Sequence, residues 1–249
     1  MNAAHFGRLR NSVVLIAALI AIWQALYWWV GDVALASPLA TLRYTAGLFA
    51  TEAFAVHLFD TARAFSIAFA LSVVIGLSVG FWLGFDRLSG DALEPMIVSV
   101  YAIPKLTLYP ILLLAFGLGL SAKVAFGVIH GVIPIILFTL SAVHNTKPIL
   151  IKTGHVLKLS RSQMVRWILF PAAIPEIFTG LRVGFALTLI GSLLAEMFAS
   201  QHGLGYLLMN GIGLHNVELI MSVTLVIIVF AAAVSSVLLY IDHRLHRRV

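Results

Sequence analysis

The feature that most constrains this chain is a series of long apolar runs, because each run is about as long as a helix that crosses a lipid bilayer. A spanning helix needs about 20 apolar residues to cross a hydrocarbon core ~30 Å thick. Apolar residues make up 61% of the 249 positions and charged residues only 10%, against roughly 25% charged residues in soluble domains. The sequence therefore predicts an integral membrane protein.

The apolar runs also predict the fold class. In lipid, backbone groups must be hydrogen-bonded within the protein, so spanning segments are helices or strands of a closed barrel. The runs are unbroken, whereas barrel strands alternate between apolar and polar residues. We therefore predict an all-α fold, a polytopic membrane helix bundle of about six transmembrane helices that forms a single transmembrane domain over residues 1–249. The predicted spans are 11–30, 63–85, 93–116, 123–142, 176–199 and 217–241.

The segments between the spans are mostly polar. We expect residues 31–61 to form an external loop with a short surface helix at 39–49, and residues 86–91 and 202–213 to form turns. The first run could be a cleaved signal peptide, since Ala34-Leu35-Ala36 resembles a cleavage site. Its length favours a retained span, because secretory apolar regions are about 7–15 residues long.

The segment 143–171, called the basic loop below, predicts the orientation. It carries five basic residues and no acid, whereas residues 199–216 carry neither Lys nor Arg. Basic loops are retained in the cytoplasm, so we expect this loop and both termini to be cytoplasmic. Because the basic residues cluster beside the spans, retention of loops in the cytoplasm also explains the formal charge of +6 better than nucleic-acid binding does.

The basic loop has an apolar side as well, formed by residues 149–151 and 156–157. Ser160 and Gln163 have the spacing of a capping box, in which each side chain bonds the other residue's backbone N–H group. We therefore predict two short helices joined near residue 158. Such a pair could lie on the lipid surface or dock into a groove of a partner, and the residues alone leave both possibilities open.

Two places within the spans carry polar groups that are costly in hydrocarbon. Glu196, at the outer end of the fifth predicted span, is expected to face the bundle or a wet cavity, although it could also reach water or cap a neighbouring helix. In the third span two prolines break the helix, and broken helices with polar surroundings often line a substrate path. The alternative for Lys105 is that it snorkels towards the interface or pairs within the bundle. The candidate path residues are Pro104, Lys105, Thr107, Tyr109 and Glu196.

Three glycines, Gly76, Gly80 and Gly84, recur at four-residue spacing on the second span and predict a close helix contact. The contact could lie within the bundle or at a subunit interface. His130, in the middle of the fourth span, is interpreted as a packing residue.

Enzyme signatures are missing from the sequence. There is no H-E-x-x-H or G-x-S-x-G motif, and the cysteine count of zero excludes thiol chemistry and thiolate metal sites. The segment 117–123 is the nearest approach to a phosphate loop, but it lacks the glycine before Lys123. We expect no catalytic residues, no metal site and no bound cofactor on this chain.

Several motifs taken in order resemble the permeases of binding-protein-dependent ABC importers, specifically the nitrate/sulfonate/taurine group, over about residues 60–210. They are SR at 160–161, ILFPAAIP at 168–175, GLR at 180–182, IPK at 103–105, YP at 109–110, FGLG at 116–119, AEM at 195–197 and GLGY at 203–206.

The resemblance implies a type I ABC importer (MetI-like) permease fold in the bacterial inner membrane. It implies that the basic loop docks onto a cytoplasmic ABC ATPase subunit, which binds ATP and Mg, and that two permease copies, as a homodimer, enclose the path. A periplasmic or lipid-anchored substrate-binding protein would deliver a small solute such as a sulfonate, nitrate or a vitamin precursor. The implied coupling residues are Lys152, Thr153, Gly154, His155, Leu157, Lys158, Ser160, Arg161, Gln163 and Pro171.

The basic loop departs from the family pattern at four positions. Lys152 stands where the family has Glu, Thr153 and Gly154 where it has two alanines, and Lys158 where it has glycine. A glycine there supplies a positive-φ helix terminus, so Lys158 must strain at that position or lengthen the helix. Either the partner ATPase has a more acidic cleft, or coupling is weakened.

The alternative hypothesis is a secondary transporter or channel driven by an ion gradient, with Glu196 and Lys105 as coupling charges. Such transporters commonly consist of two related halves, and none are apparent in the sequence. A membrane enzyme is a more distant alternative, since the chain offers no catalytic constellation.

Overall fold

The computed structural model describes the backbone of residues 3–246 and the side chains of residues 10–246, apart from those at 161, 199, 243, 245 and 246. Regular secondary structure in this part of the chain is entirely helical. The α-helices are α1 (Ala3–Val30), α2 (Pro38–Phe49), α3 (Glu52–Phe85), α4 (Arg87–Ala102), α5 (Tyr109–Phe116), α6 (Leu120–His144), α7 (Pro148–Val156), α8 (Arg161–Met164), α9 (Phe170–Ala199), α10 (Leu204–Gly213) and α11 (Val217–His246).

Among the described residues, five helical segments are long and apolar enough to cross a membrane: Arg10–Val30, Glu52–Phe85, Leu120–His144, Ser162–Phe198 and Val217–Asp242. A sixth span is possible if α4 and the segment Lys105–Phe116, which are bent by 85° relative to each other, count as one. The prediction of about six transmembrane helices is therefore confirmed, with the third span broken.

The break in the third span lies at the predicted proline. The residue before a proline is driven out of the helical region, and Ile103 ends α4 with φ −64° and ψ 132°. Pro104 is also extended, with ψ 99°, and a short 3₁₀ turn at Lys105–Leu108 then leads into α5. At the bend the carbonyls of Tyr101 and Pro104 accept hydrogen bonds from the side chains of Lys105 and Thr107.

The bundle is built around α6, which packs against α3 on one side and α9 on the other. The predicted glycine stripe lies at the contact between α3 and α6. A Cβ atom at Gly76 would meet Ile135, one at Gly80 would meet Thr139, and one at Gly84 would meet Val143, all at 2.5–2.7 Å. The glycines thus allow α3 to approach α6 within this chain.

Three loop predictions were wrong, while the surface helix at 39–49 is confirmed as α2. The helix α3 begins at Glu52 rather than at residue 63, because Thr51 caps it by accepting from the amide of Phe54. Residues 87–91 belong to α4 rather than to a turn, and most of 202–213 forms α10. In each case a helix continues through polar or glycine-rich sequence.

Candidate functional site

The basic loop folds into two helical pieces that are separated at residues 157–160, as predicted. The first piece is α7, and Lys158 follows its end with φ 50°. The amide of Leu159 donates to the carbonyl of Gly154, and the amide of Lys158 donates to that of His155, both at 3.0 Å. These two bonds are the Schellman arrangement of a helix that ends in a left-handed residue.

Lys158 therefore occupies the conformation that a glycine would supply. The helix α7 is not lengthened, so the chain follows the first of the two outcomes expected for a lysine there. Residues other than glycine adopt this conformation at a cost of roughly 1–2 kcal/mol.

The second piece begins with the predicted capping box. The amide of Gln163 donates to Ser160 Oγ at 3.3 Å, and the amide of Ser160 donates to Gln163 Oε1 at 2.9 Å. The side chain of Arg161, another predicted coupling residue, lies outside the described residues.

The helix α8 continues into α9 through a π turn at Val165–Leu169. Pro171 has no N–H group to bond the carbonyl of Trp167, four residues earlier. The amide of Phe170 instead bonds the carbonyl of Val165, five residues earlier. Pro171 thus lies where the backbone changes from π to α geometry. The end of the basic loop is therefore continuous with α9.

The two faces of α7 differ. On one face Gly154 is buried, and a Cβ atom there would lie 2.5 Å from Cε of Met164, so α7 packs closely against α8. On the other face Ile149 and Val156 are 65% and 80% exposed. Lys152, Thr153, His155 and Leu157 are exposed as well. The result is a short helix that presents apolar side chains among basic ones.

A second group of polar residues surrounds Glu196, which is fully buried in α9. Its Oε2 atom accepts from Thr61 Oγ1 at 2.8 Å and from the amide of Gly205 at 3.0 Å. Its Oε1 atom lies 3.9 Å from Nζ of Lys123, which is itself 4% exposed. We call Asp60, Thr61, Lys123 and Glu196 the Glu196 cluster.

Lys123 connects this cluster to the surface. Its ammonium group pairs with the carboxylate of Asp60 and donates to the carbonyl of His202 at 2.9 Å. A buried charge is costly unless it is paired and hydrogen-bonded. Lys123 satisfies that requirement through Asp60 and His202, whereas Oε1 of Glu196 has a charged neighbour at 3.9 Å but no hydrogen-bond partner among the described residues.

The cluster also holds the start of α10. The first amides of a helix lack partners within the helix, and here side chains from other elements supply them. The amide of Gly203 donates to His57 Nδ1 at 3.1 Å, that of Leu204 to Thr61 Oγ1 at 2.7 Å, and that of Gly205 to Glu196. Of the roles considered for Glu196, capping a neighbouring helix is the one this geometry displays.

The other candidate path residues lie around the bend of the third span. Lys105 Nζ donates to the carbonyl of Tyr101 at 3.0 Å and lies 4.4 Å from the centre of the Tyr101 ring. Thr107 Oγ1 donates to the carbonyl of Pro104 at 2.7 Å. The hydroxyl of buried Tyr109 donates to the carbonyl of Ala195 at 2.7 Å. The bend is thus tied to α9 one residue before Glu196, and whether these residues line a path stays a prediction.

His130 follows its interpretation as a packing residue. Its Nδ1 atom lies 2.9 Å from the carbonyl oxygen of Phe126, one turn earlier, and its ring contacts that of Phe126.

The sequence does not indicate the partners of Glu196. Asp60 lies in the predicted external loop and Lys123 at the start of a predicted span, because a charge usually marks the edge of a span. Their opposite signs, next to apolar residues of neighbouring spans, were the available signal. Thr61 and His57 gave no signal, since their roles depend on contacts with residues more than 130 positions away.

Comparison with known proteins decides the family. Residues 72–249 match the family described as "Binding-protein-dependent transport system inner membrane component". The chain belongs to this family. It is a multi-pass inner-membrane permease subunit of an ABC importer, as the resemblance implied, and a transport component rather than an enzyme.

Several relatives of this permease share most of its length. It is 30% identical to the nitrate import permease protein NrtB of Synechocystis sp., covering 86% of this chain and 80% of that protein. It is 26% identical to the taurine transport system permease protein TauC of Escherichia coli, covering 81% and 78%. A putative aliphatic sulfonates permease, SsuC of Bacillus subtilis, is 26% identical over 80% of this chain and 73% of that protein.

A solved structure supports the fold of this permease. A chain of the MetNI methionine ABC transporter, in inward-facing conformations, superposes with a TM-score of 0.62 at 17% identity and covers 75% of this chain and 93% of that chain. The predicted type I fold is therefore confirmed. Membership in this family implies a separate ATPase subunit and a substrate-binding protein, and it favours the permease over the ion-driven transporter.

Proposed function

We propose that this permease imports a small anion as one of two identical copies, with the basic loop on the cytoplasmic side, where α7 receives the ATPase. The observation that carries the proposal is the exposed face of α7. Ile149 and Val156 are 65% and 80% exposed beside Lys152, on a helix whose opposite face packs against α8 and the π turn through Gly154. A helix with such a face fits a groove in a partner protein.

The charge distribution supports the orientation. The basic loop, which precedes α9, carries no acid. The segment 199–216, between the end of α9 and the start of α11, carries no Lys or Arg. Basic loops remain on the cytoplasmic side. Both termini then also lie in the cytoplasm if the bent third segment counts as one of six spans.

The proposed division of labour leaves ATP and Mg to the partner ATPase and no cofactor to this chain. Two permease copies would enclose the path between them, and ATP-driven movement of α7 would open it alternately to each side. We propose that the Glu196 cluster and the bend around Lys105 and Tyr109 move when the path opens or closes.

The proposed cargo follows from the relatives. Their names specify nitrate, aliphatic sulfonates and taurine, all of which carry an anionic oxygen group. Others name formylaminopyrimidine and riboflavin, so a vitamin precursor is the second candidate. Lys105, which lies at the bend with its ammonium group only partly buried, supports an anion.

The first experiment tests the docking surface. The tagged permease is purified in mild detergent with its ABC ATPase subunit, and the ratio of the two chains is measured by mass spectrometry. We expect Ile149→Asp and Val156→Asp to lose the ATPase, because each places a carboxylate on the apolar face. Leu118→Asp is the matched control, since Leu118 is 79% exposed outside the basic loop. Equal ATPase recovery in all three variants would contradict the proposal.

The second experiment tests the cargo. Complexes are reconstituted into proteoliposomes with the binding protein, and ATP-dependent uptake of labelled nitrate, taurine and riboflavin is compared. Uptake of an anion that stops without ATP supports the proposal. Uptake driven by an ion gradient in liposomes that hold the permease alone would contradict it.

A further inference from the structure

A cavity of about 220 Å³ lies beneath α7, on the side that faces the bundle. Its walls come from the end of α3, the start of α4, the end of α6, α7 and the π turn. Four lining residues, Gly84, Val143, Met164 and Leu169, are buried and form an apolar floor. The volume is below the roughly 300–1,000 Å³ of sites for drug-sized ligands, so the cavity suits a small group.

The polar side chains that line this cavity are cationic or become cationic when protonated. They are Arg87, His144 and His155, and they come from α4, α6 and α7. The carboxylate nearest in sequence is Asp86, which accepts a hydrogen bond of 2.6 Å from Ser89 Oγ and does not line the cavity. The cavity therefore offers donors of hydrogen bonds to an acceptor-rich ligand.

His144 points to a ligand most directly. Its Nε2 atom is buried, and no group among the described residues forms a hydrogen bond with it. In the structure this nitrogen lies against Gly90, since a Cβ atom there would be 3.0 Å from it. A buried polar atom without a partner costs about 1–3 kcal/mol, so a ligand in the adjoining cavity that bonds this nitrogen after a rotation of the ring is favoured.

Arg87 supplies the charge. A guanidinium group presents a rigid fork of N–H donors that matches carboxylate, sulfonate or phosphate oxygens. Neutral or protonated imidazoles add single donors. Arg87 and His155 are both exposed, so a ligand can enter from the membrane surface.

We propose that this cavity binds the oxyanion group of a small soluble anion or of an anionic phospholipid, held by Arg87, His144 and His155. Basic pockets at the cytoplasmic ends of membrane helices are suited to lipid headgroups, and a soluble oxyanion has the same chemistry. The ligand contacts α7 through His155 and the bundle through Arg87 and His144. It therefore braces the joint between the ATPase-docking helix and the spans, which goes beyond the import function proposed above.

The test measures protection of the histidines in the purified permease–ATPase complex. Carbethoxylation by diethyl pyrocarbonate is followed by mass spectrometry in nanodiscs of phosphatidylcholine, with sulfate or with chloride at equal ionic strength. For a soluble oxyanion, sulfate at about ten times its Kd slows modification of His144 and His155 about tenfold. Exposed His215, outside the basic loop, is the internal control and is modified at the same rate in both salts.

A parallel arm distinguishes the lipid. Nanodiscs that contain phosphatidylglycerol, without sulfate, protect both histidines if the natural occupant is a phospholipid headgroup. Protection in the first arm alone assigns a soluble oxyanion. Protection of neither histidine in either arm overturns the proposal.

Matched variants separate the site from general charge. Arg87→Gln is expected to abolish protection, whereas Arg166→Gln, which removes an exposed arginine that lies over the ring of Trp167, is expected to retain it. If Arg87→Gln does not fold, His155→Gln replaces an exposed side chain and leaves His144 as the reporter. Equal protection in Arg87→Gln and Arg166→Gln would overturn the proposal.

Discussion

The hydroxyl group of Thr61 donates a hydrogen bond of 2.8 Å to the buried carboxylate of Glu196, 135 positions away in the sequence. The same hydroxyl accepts from the amide of Leu204 at 2.7 Å. One side chain of α3 thus joins the end of α9 to the start of α10. The start of α10 is thus held by polar contacts, in addition to the apolar cluster that Leu204 and Leu207 form with Phe54.

Replacing Glu196 with alanine is expected to lower the free energy of unfolding by about 1–3 kcal/mol, because it leaves the buried amide of Gly205 without an acceptor, while Lys123 keeps Asp60 and His202 as partners. Unfolding in mixed micelles measures this loss. Glu196→Gln should cost less, since the amide oxygen still accepts from Thr61 and Gly205. The control is Glu218→Ala, an exposed carboxylate in the first turn of α11, with a cost below about 1 kcal/mol.

The same alanine variant is expected to reduce uptake at equal amounts of protein in the membrane, because α10 loses its anchor. Transport by Glu196→Ala that equals transport by Glu218→Ala would show that the cluster serves stability alone.

Replacing Lys158 with glycine is expected to raise the free energy of unfolding by less than about 1 kcal/mol, since the relief of a left-handed residue is partly offset by the greater freedom of glycine in the unfolded chain. The matched control is His215→Gly, because His215 has almost the same backbone angle, φ 53° against φ 50°, but lies outside the basic loop. Both variants should show a similar change in stability.

We expect Lys158→Gly alone to change the ratio of solute transported to ATP hydrolysed, because only Lys158 ends the helix proposed to contact the ATPase. The measurement is uptake and ATPase activity in the same proteoliposomes. Unchanged values of both in Lys158→Gly would remove the hypothesis that this lysine affects coupling.

Replacing Gly80 with alanine is expected to destabilise the bundle by about 1–3 kcal/mol through overpacking. Its Cβ atom would lie 2.5 Å from Cβ of Thr139 and 2.9 Å from the carbonyl oxygen of Ile136. Gly47→Ala in α2 is the control, since no described atom lies within 4 Å of the added carbon. It should stabilise that helix by up to about 1 kcal/mol. Equal effects at the two glycines would contradict the proposed close contact of α3 and α6.

Replacing Ser160 with alanine is expected to cost about 1 kcal/mol by removing the acceptor for the amide of Gln163. Hydrogen exchange of that amide should become faster, and Ser162→Ala, two residues further along, should leave its rate unchanged. A wild-type exchange rate in Ser160→Ala would show that the capping box does not persist in the membrane.

Local sequence was sufficient to predict the features that depend on local chemistry. The capping box at Ser160 and Gln163, the break near Lys158 and the interruption at Pro104 each depend on residues within one or two turns of one another. The spans followed from apolar length. The predicted spans stopped at charges, however, and α3 continues through Asp60 and Arg63 to Glu52.

The helix α10 could not have been predicted by the same reasoning. Its glycine-rich sequence is typical of a turn, and its first amides find acceptors only in the side chains of His57, Thr61 and Glu196. Two of these belong to α3, and nothing in the local sequence indicates that they lie nearby. The same limitation hid the pairing of Lys123 with Asp60, which forms only after α3 and α6 have packed together.

The π turn at Val165–Leu169 joins α8 to α9, so the capping box and Glu196 lie near opposite ends of one helical segment. Ser162–Phe198 is a continuous helical segment of 37 residues, about 55 Å long at about 1.5 Å per residue, and so longer than a hydrocarbon core of about 30 Å. Because the segment is one continuous helix, a displacement of the basic loop along the helix axis would also displace Glu196 and the amide of α10 that it bonds.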